Sequence, residues 1–158
     1  MTAIASITAN LGSVPYTVRL TDDLGHHWLS DEPPDKQGAN LGPTPTRLLV
    51  ASLGACTAIT MKMYAERKGW PLERVDVRVE LLTYVPVPEG GTSIRCGIVL
   101  VGPLSPEQRE RLMAIAGACP VHRILNAPIR IEARLEEERT EETRKSGGAE
   151  SGPVGGNA

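Results

Sequence analysis

Apolar and polar residues alternate with a period of two at several points along the chain, which is the pattern of a strand with one covered and one wet face. Between Ala3 and Leu20 the stretch is β-compatible in short pieces, with Tyr16, Val18 and Leu20 alternating against Thr17 and Arg19. A turn around Asp22–Gly25 precedes another short candidate strand, His27–Trp28–Leu29. The clearest pair comes later: Val75, Val77, Val79 and Leu81 alternate with charged residues, and after the turn PVPEGG, Pro86 to Gly91, so do Ile94, Cys96, Ile98 and Leu100. This pair predicts an antiparallel hairpin. Ile129, Ile131, Ala133 and Leu135 predict one last strand.

The helical signals lie between these runs. Asp31 to Gly42, DEPPDKQGANLG, is rich in Pro, Gly and charge and predicts a loop. Thr44–Pro45 then supplies a capping hydroxyl and a proline at the first helical position, where its missing N–H costs nothing. The helix runs to a stop at Gly69, before Trp70–Pro71, a length of about 24 residues. Its charge comes late, at Lys62, Glu66, Arg67 and Lys68, so its first half is expected to be buried on every face. Gly54, Ala55 and Ala58 leave room there for another backbone, within the chain or from a second subunit. Ser105-Pro106-Glu107-Gln108 is a capping box opening a helix with Leu112, Ile115 and Ala116 on its apolar stripe. Cys119–Pro120 interrupts that helix and starts a short one, VHRILN.

Strands, a long helix, two strands, a broken helix and a final strand make an α+β domain of antiparallel strands covered by helices. The length of 158 residues suits one domain, residues 1–136, and the apolar period ends there. Residues 137–158 are expected to form a solvated, disordered tail, because they lack the apolar side chains whose burial would offset chain entropy. A net charge of −2 gives no basic footprint for nucleic acid. The uncharged run in the long helix, Leu48 to Met61, is shorter than the roughly 20 apolar residues of a membrane span. The opening residues do not read as an export signal, so a soluble, cytoplasmic protein with no membrane role is expected.

The three cysteines, Cys56, Cys96 and Cys119, do not pair off as a disulfide scaffold. No CxxC or HExxH is present, the His26–His27 pair has no ligand at informative spacing, and no metal or other cofactor is implied. Core filling or redox chemistry remains for the thiols. Cys56, among small residues of the long helix, fits either. Cys119 would cap the short helix, where unpaired amides stabilise a thiolate and His122 is three residues away, or would be a buried cysteine at a kink. Cys96 alternates with Ile94 and Ile98 and reads as packing. His26, His27, Trp28 and Tyr84 read as an ordinary turn and strand.

The run GPTPTRLLVASLGACTAITMKMYAERKG, Gly42 to Gly69, together with ACPVHRILNAPI, Ala118 to Ile129, resembles the OsmC/Ohr family, in particular its OsmC-like redox proteins. The resemblance covers most of Ala9 to Leu135, and two separate cysteine motifs in order make it specific. It implies antiparallel sheets packed around a long central helix in an intertwined homodimer, with pockets at the subunit interface. It also implies that Cys56 is the peroxidatic thiol and Cys119 the resolving one in thiol-dependent reduction of organic hydroperoxides. An external thiol, such as a dihydrolipoyl protein, would then restore both. Leu49, Leu53, Ile59 and Met63 either pack the helix or line access to the thiol, and a pocket so lined would favour an apolar peroxide over hydrogen peroxide.

The family's hydroperoxidases also carry a glutamate at the start of the long helix and an arginine from the N-terminal β region. Thr46 stands where that glutamate is expected, and Arg19 comes later than the usual arginine; Arg47 is the other cation near the helix start. A thiol near a helix middle gains little from the dipole at its end, and an ordinary thiol is only a few per cent ionised at neutral pH. These departures leave two other readings of the same fold open: a non-enzymatic protein binding an apolar ligand, and a thiol–disulfide redox sensor.

Overall fold

A computed structural model of the chain describes residues 3–84 and 91–136. The first element is an antiparallel meander of β1 (Ile7–Leu11), β2 (Val18–Asp22) and β3 (His27–Ser30), in the order β1-β2-β3. A loop with a short 3₁₀ turn at Pro34–Lys36 leads to the long helix α1, Pro45–Arg67. The hairpin of β4 (Arg74–Tyr84) and β5 (Thr92–Val101) follows, paired from Arg74↔Val101 to Tyr84↔Thr92, with an irregularity between Leu81 and Thr83. Helices α2 (Pro106–Ala116) and α3 (Pro120–Leu125) complete it. The alternations of β2 to β5 and all three helix starts are where the sequence predicts them. The connection predicted at Pro86–Gly91 falls largely, and residues 137–158 wholly, outside the described residues.

The helix ends follow from local chemistry. The Thr44 hydroxyl accepts from the Arg47 amide at 3.4 Å, and Gly69 takes the left-handed conformation (φ 66°) just after the Lys68 cap, which a β-carbon would disfavour. Ser105 and Gln108 make the reciprocal capping box at the head of α2. Met61, Ala65, Leu72, Leu104, Leu112 and Ala116 form the buried core, with Val75, Ile98 and Leu100 of the hairpin packed against it. Arg109 ties α2 to the sheet by donating to the carbonyls of Leu100 and Gly102, both at 2.9 Å. Gly102 itself is irreplaceable in kind: its φ is 137°, and a β-carbon there would collide with the Pro71 carbonyl.

One carboxylate organises the approach to α1. Asp31 is almost fully buried at the end of β3 and accepts from the Thr17 hydroxyl and from the amides of Glu32, Ala39 and Leu41. These donors, the Leu41 amide foremost, outweigh burial and hold its carboxyl below the usual range. Gly38 and Gly42 let the loop close, since β-carbons there would meet the backbones of Glu32 and Leu29. A loop is indeed present, but nothing in its composition announces that a buried aspartate holds it.

Two expectations fail. The first half of α1 is not buried all round: only the stripe Leu53, Thr57, Met61 and Ala65 is buried, while Leu49, Ile59 and Met63 are exposed. The hairpin and the two later helices cover one side, and nothing within the described residues covers the other. By length and composition alone α1 is apolar enough to cross a membrane, with a mean hydropathy of 1.4 in its most apolar window, although its uncharged run is short. Its buried stripe against β4, α2 and α3 is that of a packed helix.

The second failure concerns Ile129–Leu135, which form no strand. Residues 129–136 are described separately from residues 1–128. Arg130 pairs with Glu132 and Arg134 with Glu136, the two-residue spacing of one side of an extended chain, while Ile129, Ile131 and Leu135 are exposed. The alternation is real, but alternation alone does not make a strand, which also requires a ladder of hydrogen bonds to a partner.

Met61→Ala is expected to cost about 2–5 kcal/mol in urea unfolding, since it empties a fully buried site; a change near zero would mean the core is misplaced. Because the Asp31 carboxyl is depressed in the folded chain, its stabilisation is present above its unfolded value of about 3.9 and is lost as pH falls through the lower folded value. Asp31→Asn should therefore lower the melting temperature at neutral pH and flatten its fall below about pH 4; an unchanged acid limb would contradict this role.

Candidate functional site

Cys119 is the best-defined of the three thiols. It is fully buried (0% exposed) at the cap of α3, where Pro120 can occupy the first helical position without losing a bond. Its sulfur accepts from the His122 amide at 3.3 Å and lies 3.6 Å from the Thr57 hydroxyl of α1, 62 positions away in sequence. The predicted cap is present, and His122 assists through its backbone amide. Its imidazole instead lies toward Gly117, 3.9 Å from where a β-carbon would stand.

Thr57 is the direct neighbour of Cys56, so the contact with Cys119 brings the two cysteine segments together. Thr57 belongs to the buried stripe; Cys56, a step round the helix, is half-buried, and both cysteines are free thiols. Helical spacing puts Cys56 on one face with Thr60, Met63 and Arg67. Those three residues, with Tyr64, Ile115 and Ala118, line a groove of about 510 Å³ between α1 and α2. Ala118 adjoins Cys119 and the lining is mostly apolar, so the groove is suited to a ligand with a hydrocarbon part. Arg67 stacks on the Tyr64 ring at 5.5 Å, and Arg111 donates to the Tyr64 hydroxyl at 3.1 Å, which lowers the phenol's pKa. Neither cation was foreseen from sequence; only the helical spacing of Arg67 from Cys56 could have suggested that one.

The other expected residues lie elsewhere or play smaller parts. Leu53 is core, Met63 lines the groove, and Leu49 and Ile59 are exposed on the uncovered side of α1. Arg19 pairs in register with Asn10 and Leu29 and is exposed, lining a shallow cavity with Val14 and Thr17. Arg47 is exposed at the start of α1, beside a hollow formed with Gly54, Val77 and Val79. No acidic residue stands in the first turn of α1. His26 bonds Asp22 and His27 bonds Thr21, which accounts for both histidines locally. Among the described residues no three His, Cys, Asp or Glu side chains gather as a metal site.

Cys96 departs from the reading as buried packing. It faces Val79 across the hairpin but is exposed by surface area. Enough protein surrounds it that burial, and next the negative charge of Cys119, push its thiol pKa up.

This arrangement has counterparts. The family model for OsmC-like proteins matches residues 37–134, which include both Cys56 and Cys119. No curated protein matches the chain. Among solved structures, an OsmC-like protein of Mycoplasma pneumoniae is 21% identical with a TM-score of 0.66, over 79% of this chain and 89% of that one. An organic hydroperoxide resistance protein OsmC of Legionella pneumophila is 22% identical with a TM-score of 0.58, over 78% and 90%. The organic hydroperoxide resistance protein OhrB of Bacillus subtilis is 21% identical with a TM-score of 0.53, over 78% and 91%. At these identities the likeness is one of fold, and with the family match over most of the chain it leads to one conclusion: the chain belongs to the OsmC-like protein family.

Proposed function

We propose that the protein reduces organic hydroperoxides with Cys56 as the attacking thiolate and Cys119 as the resolving thiol. The observation that carries this reading is the buried contact of Cys119 with Thr57, which sets the sulfur of one motif beside the helix turn bearing the other. Cys56 thiolate attacks the outer oxygen of the peroxide, the O–O bond breaks, and the alkoxide leaves as alcohol after taking a proton. The resulting sulfenic acid is attacked by Cys119 thiolate, its oxygen leaves as water, and a Cys56–Cys119 disulfide remains. Two exchange steps with an external dithiol, of the dihydrolipoyl class, return both thiols and leave that dithiol oxidised. The apolar groove that begins at Thr60, one turn along α1 from Cys56, supports an alkyl or aryl hydroperoxide over hydrogen peroxide.

The working form is a cytoplasmic homodimer in this reading. Leu49, Ile59 and Met63 lie exposed along the side of α1 that also carries Cys56, and a second copy laid there would cover them and complete the pocket. The unpaired alternation of Ile129, Ile131 and Leu135 would find its ladder on a strand edge of that copy, as an intertwined assembly requires. A second reading, a redox sensor with slow turnover, is favoured by the lack of an acidic side chain in the first turn of α1 and the exposure of Arg19 and Arg47.

Purified protein supplied with dihydrolipoamide is expected to consume cumene hydroperoxide faster than hydrogen peroxide in stopped flow, and Cys56→Ser to abolish consumption. Cys119→Ser should still form the sulfenic acid in the first turnover, trapped by dimedone and seen by intact mass, but no intramolecular disulfide. Oxidation of Cys119 with Cys56 unmodified would overturn the assignment of roles. In sedimentation, a dimer is expected, and deletion of residues 129–158 should shift it toward monomer; a monomeric full chain would remove the proposed assembly.

A further inference from the structure

We propose that Thr57 is a positioning residue of the resolving step: its hydroxyl accepts from the Cys119 thiol and turns to donate to that sulfur once it is the attacking thiolate. Thr57 lies in the buried stripe of α1, whose other members, Leu53, Met61 and Ala65, are all apolar. Valine has nearly the same shape and would fill this place without hiding a hydroxyl at 2% exposure, so the polar atom needs a partner. Among the described residues that partner is the Cys119 sulfur, 3.6 Å away. Ser52, exposed earlier in α1, shows the local alternative, since its hydroxyl donates to the Leu49 carbonyl at 2.6 Å. Thr57 reaches across to another element instead.

The sulfur stands between two donors of different kinds. On the α3 side the His122 amide is fixed by the backbone and donates at 3.3 Å. On the α1 side the Thr57 hydroxyl is a rotor that accepts or donates without any heavy atom moving. A neutral thiol is a weak donor and a weak acceptor, so a hydroxyl facing it gains little. A thiolate is a charged acceptor, and a hydrogen bond to a charge is about twice as strong. The Thr57 hydroxyl therefore gains most when the sulfur carries its charge, at a place with no exposed surface where water could do the same.

The chemistry of this role rests on the peroxidase reading. With Cys56 oxidised to the sulfenic acid, the Cys119 proton leaves and the Thr57 hydroxyl turns its own hydrogen toward the bare sulfur. The thiolate attacks the Cys56 sulfur, the S–O bond breaks, and the leaving hydroxide combines with the released proton as water. Thr57 keeps its hydrogen throughout. Cys56 is its neighbour in α1, so a sulfur held at Thr57 waits beside the turn that bears the sulfenic acid. The titratable groups set about this contact are Cys56 on α1, His122 and the exposed Arg123 on α3, and Cys96 on β5, whose thiol is raised by burial and then by the Cys119 charge. β4 carries Arg74, Asp76 and Arg78 exposed and Glu80 paired with Arg78, and α2 turns Leu112 and Ala116 to the core while Glu110 and Arg111 are exposed.

The hydrogen bond is tested without peroxide. With Cys56→Ser and Cys96→Ser combined, Cys119 is the one thiol left, and its S–H stretching band is read by Raman scattering and titrated with pH. Adding Thr57→Val should move the midpoint at which the band disappears to higher pH by about one unit or more, the loss of a hydrogen bond to a charged group. Thr57→Ser should restore it. His122 and the surrounding charges are the same in every variant, so a difference between them belongs to the hydroxyl. A midpoint unmoved by Thr57→Val, or one that Thr57→Ser does not restore, overturns the inference. With all three cysteines present and tert-butyl hydroperoxide added, Thr57→Val should accumulate the dimedone-reactive sulfenic acid and form the Cys56–Cys119 disulfide roughly tenfold more slowly at neutral pH. The difference should close as pH rises; a slowing constant with pH overturns the role. Wild-type protein inert to peroxide, beside a midpoint that moves as stated, defeats the peroxidase reading while the hydrogen bond stands. Peroxide consumption beside an unmoved midpoint does the reverse.

Discussion

A single sulfur joins the parts of this molecule that matter. Cys119 has no exposed surface, caps α3 by accepting from the His122 amide, and faces the Thr57 hydroxyl on α1. The cap determines where the chain turns after α2, because Pro120 has no amide to continue the ladder and the His122 amide bonds to the sulfur. The contact with Thr57 determines where that turn docks. The shared core of α1 and α2 holds the two cysteine motifs in the same relation. Burial also makes the thiol selective in chemistry: it is open to a sulfur already inside the fold and closed to bulky partners.

The rest of the structure holds that contact in place. Asp31 and the glycines of its loop set the start of α1, the core from Met61 to Leu112 locks α1 against the hairpin and α2, and Arg109 ties α2 to the end of β5. All of this uses one side of α1. The other side carries Cys56 between exposed apolar residues, so the thiol proposed to attack the peroxide stands at the boundary between the packed interior and an exposed apolar surface. A pocket completed by a second copy would give the peroxide an apolar entrance without burying the thiol beyond reach.

Much of this was legible in the residues. Thr44–Pro45, Ser105–Gln108 and Cys119–Pro120 announce their helix starts because capping is a local matter of one side chain and the next few amides. The hairpin alternation likewise needs only its own two strands. What failed depends on partners that sequence period does not identify. Alternation at Ile129–Leu135 says which side is apolar but supplies no edge to bond. Uniform apolarity in α1 says that cover is needed but not whether the same chain provides it. Asp31 looks like any loop aspartate until four donors converge on it, and Cys96 looks like core by its alternation, yet it is exposed. The cysteine roles were suggested by family resemblance, and the fold adds the contact that brings their segments together.

The most direct measurement counts thiols. The chain has three cysteines, all free in the reduced protein. After anaerobic addition of tert-butyl hydroperoxide at one equivalent per chain, without reductant, denaturing titration should find about one thiol left per chain and an equimolar yield of tert-butanol, as two-electron oxidation to a disulfide requires. Three thiols remaining with the peroxide intact would contradict the central claim that the segments joined at Cys119 form a peroxide-reducing pair.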